Sequence, residues 1–136
     1  MTDEQLLEAA HQARRTAYAP YSGFLVGAAV LAEDGRVYSG CNMENVAYPE
    51  GVCAEGVALG AMVLGGARRA RMIAIVAGPE GELRPTMPCG GCRQKIAEFA
   101  GPETEVVITG SDGEIQRYRM ADLLPSAFTS NDLSKD

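Results

Sequence analysis

Apolar residues along the chain fall into helical spacing in some stretches and short continuous runs in others. Leu6, Leu7, Ala10 and Ala13 recur at helical spacing, which predicts an amphipathic surface helix from Asp3 to about Tyr18. Thr2 or Asp3 supplies its N-cap, and Arg14 and Arg15 sit near its negative C-terminal end. Ala19-Pro20-Tyr21-Ser22-Gly23 breaks it. Phe24 to Leu31 is almost wholly apolar, as in a strand buried on both faces. Glu33-Asp34-Gly35 is a turn with glycine where positive φ is tolerated, so Arg36 to Asn42 returns as the antiparallel partner.

Tyr48-Pro49-Glu50-Gly51 marks a loop that delivers the chain to a helix starting at Cys53 or Ala54 and running to Leu64, where Gly65-Gly66 ends it. This helix has almost no polar face. Such helices are normally covered on every side, and one small domain can hardly do that alone, so the pattern favours assembly. Arg71 to Ala77 is a further apolar strand, and Gly78 to Pro88 is a loop. A helix from Cys89 or Gly90 to Phe99 or Ala100 stops at Gly101-Pro102. Glu105 to Thr109 is a strand, Gly110 to Gly113 a turn, and Glu114 to Arg119 a more polar strand at the sheet edge. Met120 to Phe128 is a short apolar segment broken by Pro125, and Thr129 to Asp136 is a polar tail. The series of strands and helices between Phe24 and Thr109 implies parallel crossovers. The expected fold is α/β: a three-layer α/β/α sandwich with a mixed five-stranded sheet, residues 1–128 forming a single domain.

Composition narrows the classes of function. With 136 residues, 46% of them hydrophobic and 22% charged, the chain suits one ordered domain. A net charge of −6 disfavours polynucleotide partners, whose binding rests on Lys and Arg at phosphates. The start of the chain is acidic and polar with no apolar stretch of a secretory signal, and the longest apolar run, Gly56 to Gly66, is too short to span a bilayer. A cytoplasmic protein with no membrane contact is expected. The four cysteines then read as metal-binding or catalytic rather than as disulfides.

The chemistry concentrates in Cys53-Ala54-Glu55 and Pro88-Cys89-Gly90-Gly91-Cys92. Three thiols suit a zinc ion with an open fourth position, and Glu55, two residues after a ligand, can move a proton of a water held there. Both halves fall at predicted helix starts, where unpaired N–H groups and the helix dipole favour thiolate.

Together these segments resemble the zinc deaminase signature, and cysteine at position 53 points to the small three-cysteine cytidine deaminases of the cytidine/deoxycytidylate deaminase superfamily. The resemblance covers roughly residues 5 to 130. It includes Phe24-Leu25-Val26-Gly27-Ala28-Ala29, Asn42-Met43-Glu44-Asn45, Tyr48-Pro49, Cys92-Arg93-Gln94 and Leu123-Leu124-Pro125-Ser126-Ala127-Phe128. It implies that Cys53, Cys89 and Cys92 hold Zn²⁺, and that Glu55 shuttles protons during hydrolysis of cytidine, and of 2'-deoxycytidine, to the uridine product and ammonia in pyrimidine salvage. Asn42 and Glu44 would bond the ribose hydroxyls, Phe24 would flank the base, and the backbone around Ala54 would read the pyrimidine edge. The nucleoside-binding sites would be shared within a homotetramer, Tyr48 and Phe128 reaching neighbouring ones. Many relatives carry arginine after the Cys-Ala-Glu triplet to offset the charge of the ligand sulfurs, whereas this chain has Gly56. Helix N-termini and Arg93 are expected to supply that offset.

Other readings account for fewer residues. A redox dithiol at Cys89 and Cys92 leaves Cys53 and Glu55 without a role. Cys41 as a fourth ligand would make an all-cysteine structural zinc site and a non-catalytic protein. A deaminase of another aminated nucleoside or base would need a differently lined sugar pocket.

Overall fold

The computed structural model describes residues 1–133. Thr2 caps the first helix, α1 (Asp3–Arg14), in a reciprocal capping box: its hydroxyl accepts from the Gln5 N–H and its own N–H donates to the Gln5 side chain. The helix ends four residues before the expected Tyr18. Arg14 is not a solvated C-terminal charge. It is buried, and its Nη2 donates to the Gly78 carbonyl at 2.8 Å, the Glu82 carbonyl at 3.2 Å and the Pro79 carbonyl, closing the chain after the third strand.

Five strands follow: β1 (Phe24–Ala32), β2 (Val37–Cys41), β3 (Ala70–Pro79), β4 (Glu105–Thr109) and β5 (Ile115–Arg119). They form one mixed sheet in the order β2-β1-β3-β4-β5, with the polar β5 at an edge as its sequence implies. Both crossovers are parallel, as expected, since β2 and β3 run in the same direction on either side of β1. Only β3 and β4 pair in parallel; β1 is antiparallel to both β2 and β3. The hairpin reverses the chain before the first crossover starts, so that crossover leaves from edge strand β2 and passes over β1 to reach β3.

Alternation along β1 then serves two cores. Ala28, Val30 and Ala32 face the helices α2 (Ala54–Leu64) and α3 (Gly90–Phe99), whereas Ala29 meets Leu6, Leu7 and Ala10 of α1. Three layers result. Met120–Leu123 of the last apolar segment forms a short helix, α4, and Ser130–Leu133 of the polar tail is a 3-10 turn; residues 134–136 of that tail lie outside the described residues.

Two close approaches set the layers. At Gly27 a methyl group would collide with the Ala10 carbonyl, so α1 rests directly on β1. At Gly40 of β2 a methyl group would lie 2.5 Å from the Ala58 amide nitrogen and 2.8 Å from the Ala54 carbonyl oxygen, so glycine sets the height of the first turn of α2. Gly40→Ala is expected to destabilise the protein by about 1–3 kcal/mol, as overpacking does. Because that turn carries Cys53 and Glu55, metal affinity falls with it; denaturant unfolding and chelator competition check the two effects.

Helix α2 is not covered all round within one chain. Ala54, Ala58, Leu59 and Met62 are buried, but Leu64 is 90% exposed and Gly60 is open to solvent.

Candidate active site

The loop between β2 and α2 is pinned at its base, where Met43 and Val52 exchange backbone hydrogen bonds of 2.9 Å in each direction. A single 3-10 turn, Tyr48–Glu50, with Pro49 in its first turn, fills the loop. The chain thereby returns to start α2 beside the end of β2. Cys53 is the N-cap of α2 and Cys89 the N-cap of α3, both with extended backbone, and Cys92 lies in the first turn of α3. The three sulfurs lie within 4.8 Å of one another. A tetrahedral zinc ion with Zn–S bonds of ~2.3 Å needs sulfurs about 3.8 Å apart. Three thiols at this spacing, drawn from two helix starts, fit zinc without rearranging the fold.

Cys41 stands apart from this cluster. It ends β2 half-buried, and the Thr16 hydroxyl donates to its sulfur at 3.5 Å, so the all-cysteine site is not formed.

Burial dominates the acid–base character of the metal-free thiols. It raises Cys53, and it raises Cys92, which is fully buried, strongly above the ordinary thiol range. Only Cys89 is held below that range, chiefly by the nearby backbone N–H of Cys92. In the metal-free chain the lowering expected at a helix start is met at Cys89, whereas burial acts in the opposite direction at Cys53 and Cys92. Glu55, on the first turn of α2, is 5% exposed, and burial likewise raises its carboxyl above the usual range. A carboxyl shifted in that direction is better placed to exchange a proton near neutrality.

The cluster opens into a cleft of about 360 Å³, a size usual for small-molecule sites. Phe24, Asn42, Glu44, Tyr48, Ala54 and Glu55 all line it. Asn42 is fixed by β1: its Oδ1 accepts from the Val26 N–H and its Nδ2 donates to the Phe24 carbonyl, both at 2.9 Å. Each amide atom retains capacity for one more partner. The Glu44 carboxylate accepts from the N–H groups of Tyr21 at 2.9 Å and Ser22 at 3.1 Å and from the Ser22 hydroxyl. The Ser22 hydroxyl is the main reason its pKa is held below the ordinary value. Tyr48 is 76% exposed at the mouth, its ring tilted against Tyr21 with centroids 5.8 Å apart.

Phe128 is not brought to this cleft. It is exposed, and its carbonyl accepts from Gln94 Nε2 at 3.0 Å. Arg93 donates from Nε to the Pro88 carbonyl at 2.8 Å and from Nη1 to the Leu123 carbonyl at 2.9 Å. It ties the Pro88–Cys89 corner to α4. Sequence reasoning missed Thr86 and Met87, which line the cleft from the segment before Cys89. Nothing in their local pattern separates them from ordinary loop residues.

A mixed α/β/α sandwich with three sulfurs and a buried carboxylate at adjoining helix starts, opening on a polar-rimmed cleft, defines a metal-site protein of the zinc hydrolase kind. Comparison with known proteins then places it more narrowly. Residues 1–119 match the family described as the cytidine and deoxycytidylate deaminase zinc-binding region, and the chain belongs to that family. It is 48% identical over 134 residues to cytidine deaminase of Sporosarcina psychrophila, covering 98% of this chain and 96% of that one. It is 43% identical over 134 residues to cytidine deaminase of Halalkalibacterium halodurans, covering 98% and 99%. The crystal structure of cytidine deaminase from Burkholderia pseudomallei superposes with a TM-score of 0.85 at 45% identity, covering 94% of this chain and all of that one. The sheet and its helices are thus those of cytidine deaminase structures.

Proposed function

We propose that this protein deaminates cytidine, and 2'-deoxycytidine, hydrolytically to uridine or 2'-deoxyuridine and ammonia, in pyrimidine salvage in the cytoplasm. The observation that carries the reading is Glu55, a buried carboxyl beside three convergent sulfurs at the floor of a nucleoside-sized cleft. Cys53, Cys89 and Cys92 would hold zinc, which would supply a Lewis acid that makes water a stronger nucleophile.

The chain's own groups do the rest. Glu55 takes a proton from the attacking water and passes it to N3 of the pyrimidine as the water oxygen adds to C4. It takes the second proton as the C4 carbonyl forms and delivers it to the amine, which leaves as ammonia when its bond to C4 breaks. Asn42 donates and accepts at the sugar hydroxyls, the ionised Glu44 accepts from them, and the Phe24 ring bounds the base. The backbone at Ala54 reads the pyrimidine edge.

Residues 1–128 act as one domain, since all five strands share one sheet. We also propose a homotetramer with shared sites. The uncovered face of α2 and the exposed Met43, Val46 and Tyr48 beside the cleft support assembly, and Phe128 lies outside its own cleft, as a contribution to a neighbouring one requires.

Purified, zinc-loaded protein incubated with cytidine tests the reaction. Uridine and ammonia are expected in equal amounts; tight zinc without turnover of cytidine would remove this reading. In sedimentation, a species near four times the 14.4 kDa chain mass is expected.

A further inference from the structure

Three thiolates and one divalent cation sum to a net negative site, and the Glu55 carboxyl is buried beside them. Excess negative charge at a metal site weakens its Lewis acidity unless a neighbouring cation or hydrogen-bond donor offsets it. Arg93 donates to the Pro88 and Leu123 carbonyls and, among the described residues, to none of the three sulfurs.

A second cation faces the first turn of α2. Gly56 comes three residues after Cys53 at the start of α2, and Lys95 comes three residues after Cys92 on α3. Residues at that spacing share a helix face, so both lie on the faces that carry the ligands. They also meet each other. A methyl group at residue 56 would be 3.7 Å from Lys95 Nζ and 3.8 Å from Lys95 Cδ. The lysine stem therefore runs across the first turn of α2, through space that a longer side chain at 56 would claim.

Around this groove stand Leu59, Gly60, Val63, Phe99 and one carboxylate, Glu98; Lys95 is its only cation. Among the described residues the four ion pairs do not involve Lys95, so its charge is not spent on a surface partner.

We propose that Lys95, seated over Gly56, is a counter-charge of the zinc site: a positioning residue that touches no substrate but offsets the thiolates and strengthens retention of the metal. The inference rests on the reading of Cys53, Cys89 and Cys92 as the zinc ligands.

Competition with a chromophoric chelator on the full-length chain tests it, with turnover and melting temperature followed in parallel. K95M should lower zinc affinity by about tenfold, the lower end for groups that support metal ligands, with an unchanged melting temperature of the metal-free protein. K95R should stay close to the unsubstituted protein. G56R/K95M should recover most of the loss, because an arginine at 56 restores a cation to the same space. A role for Lys95 in packing alone would not be rescued from the other helix.

Zinc affinity of K95M within twofold of the original would overturn the proposal, as would a K95M deficit that Gly56→Arg leaves unchanged. Failure of the unsubstituted chain to bind zinc at all would instead sink the ligand assignment beneath it.

Discussion

Glu55→Gln is expected to lower turnover of cytidine by about 10³–10⁴-fold while leaving zinc content and fold intact. Glutamine keeps the shape of the side chain and cannot carry a proton. The loss should therefore appear in kcat, with the substrate's affinity changed far less. Stability offers a second signature. The Glu55 carboxyl is buried and its pKa is raised by desolvation, so the site already pays for holding it. A neutral amide removes the cost of a buried charge, and the variant should melt no lower than the original. The measurements are steady-state ammonia release, zinc per chain and thermal unfolding. A protein in which zinc is only structural would deaminate nothing and show no functional change at Glu55. An outcome in which Glu55→Gln keeps more than a tenth of the original turnover would remove the carboxyl from the proton path.

Cys92→Ser is expected to abolish zinc retention and with it all measurable turnover. Cys92 is the one fully buried ligand and lies in the first turn of α3, between the N-cap Cys89 and the facing N-cap of α2. Serine offers a harder, weakly acidic oxygen on a shorter bond, so the remaining two thiols are left to hold the ion. Because zinc binds the folded chain and links two helices, its loss should also lower the melting temperature, and excess zinc should not restore it. Cys41→Ser is the matched control: Cys41 is a free thiol outside the cluster, and its replacement should leave zinc content and turnover unchanged. Zinc loss in the Cys41 variant would reinstate the four-cysteine structural site. The two thiol variants thus separate a catalytic three-ligand centre from a closed one, using the same titration of released zinc.

Much of the site was legible before any coordinates. Cys53-Ala54-Glu55 and Pro88-Cys89-Gly90-Gly91-Cys92 carry their spacing within the chain, and each follows a loop signal and precedes a helical segment ended by glycine. Local rules therefore place Cys53 and Cys89 at helix starts and Glu55 and Cys92 in the first turns, where the structure has them. The strands were legible for a similar reason. Their apolar runs and the Gly35 turn, with φ of 82°, are local properties of short segments. The early end of α1 was not, since Arg14 leaves the solvent to satisfy three carbonyls that lie more than sixty residues away in the chain.

What the sequence determined by itself is the set of elements, the candidate ligands and the candidate acid, because hydrophobic period, capping and motif spacing act over a few residues. What only the tertiary structure decided is how those elements lie against one another. Apolar alternation counts strands without ordering them, so the place of β1 between β2 and β3 emerged only from pairing. The exclusion of Cys41, the commitment of Arg93 to carbonyls and the approach of Lys95 to Gly56 are likewise contacts between segments distant in sequence. Charge and burial act through space, and the chain's order does not record which side chains will meet there.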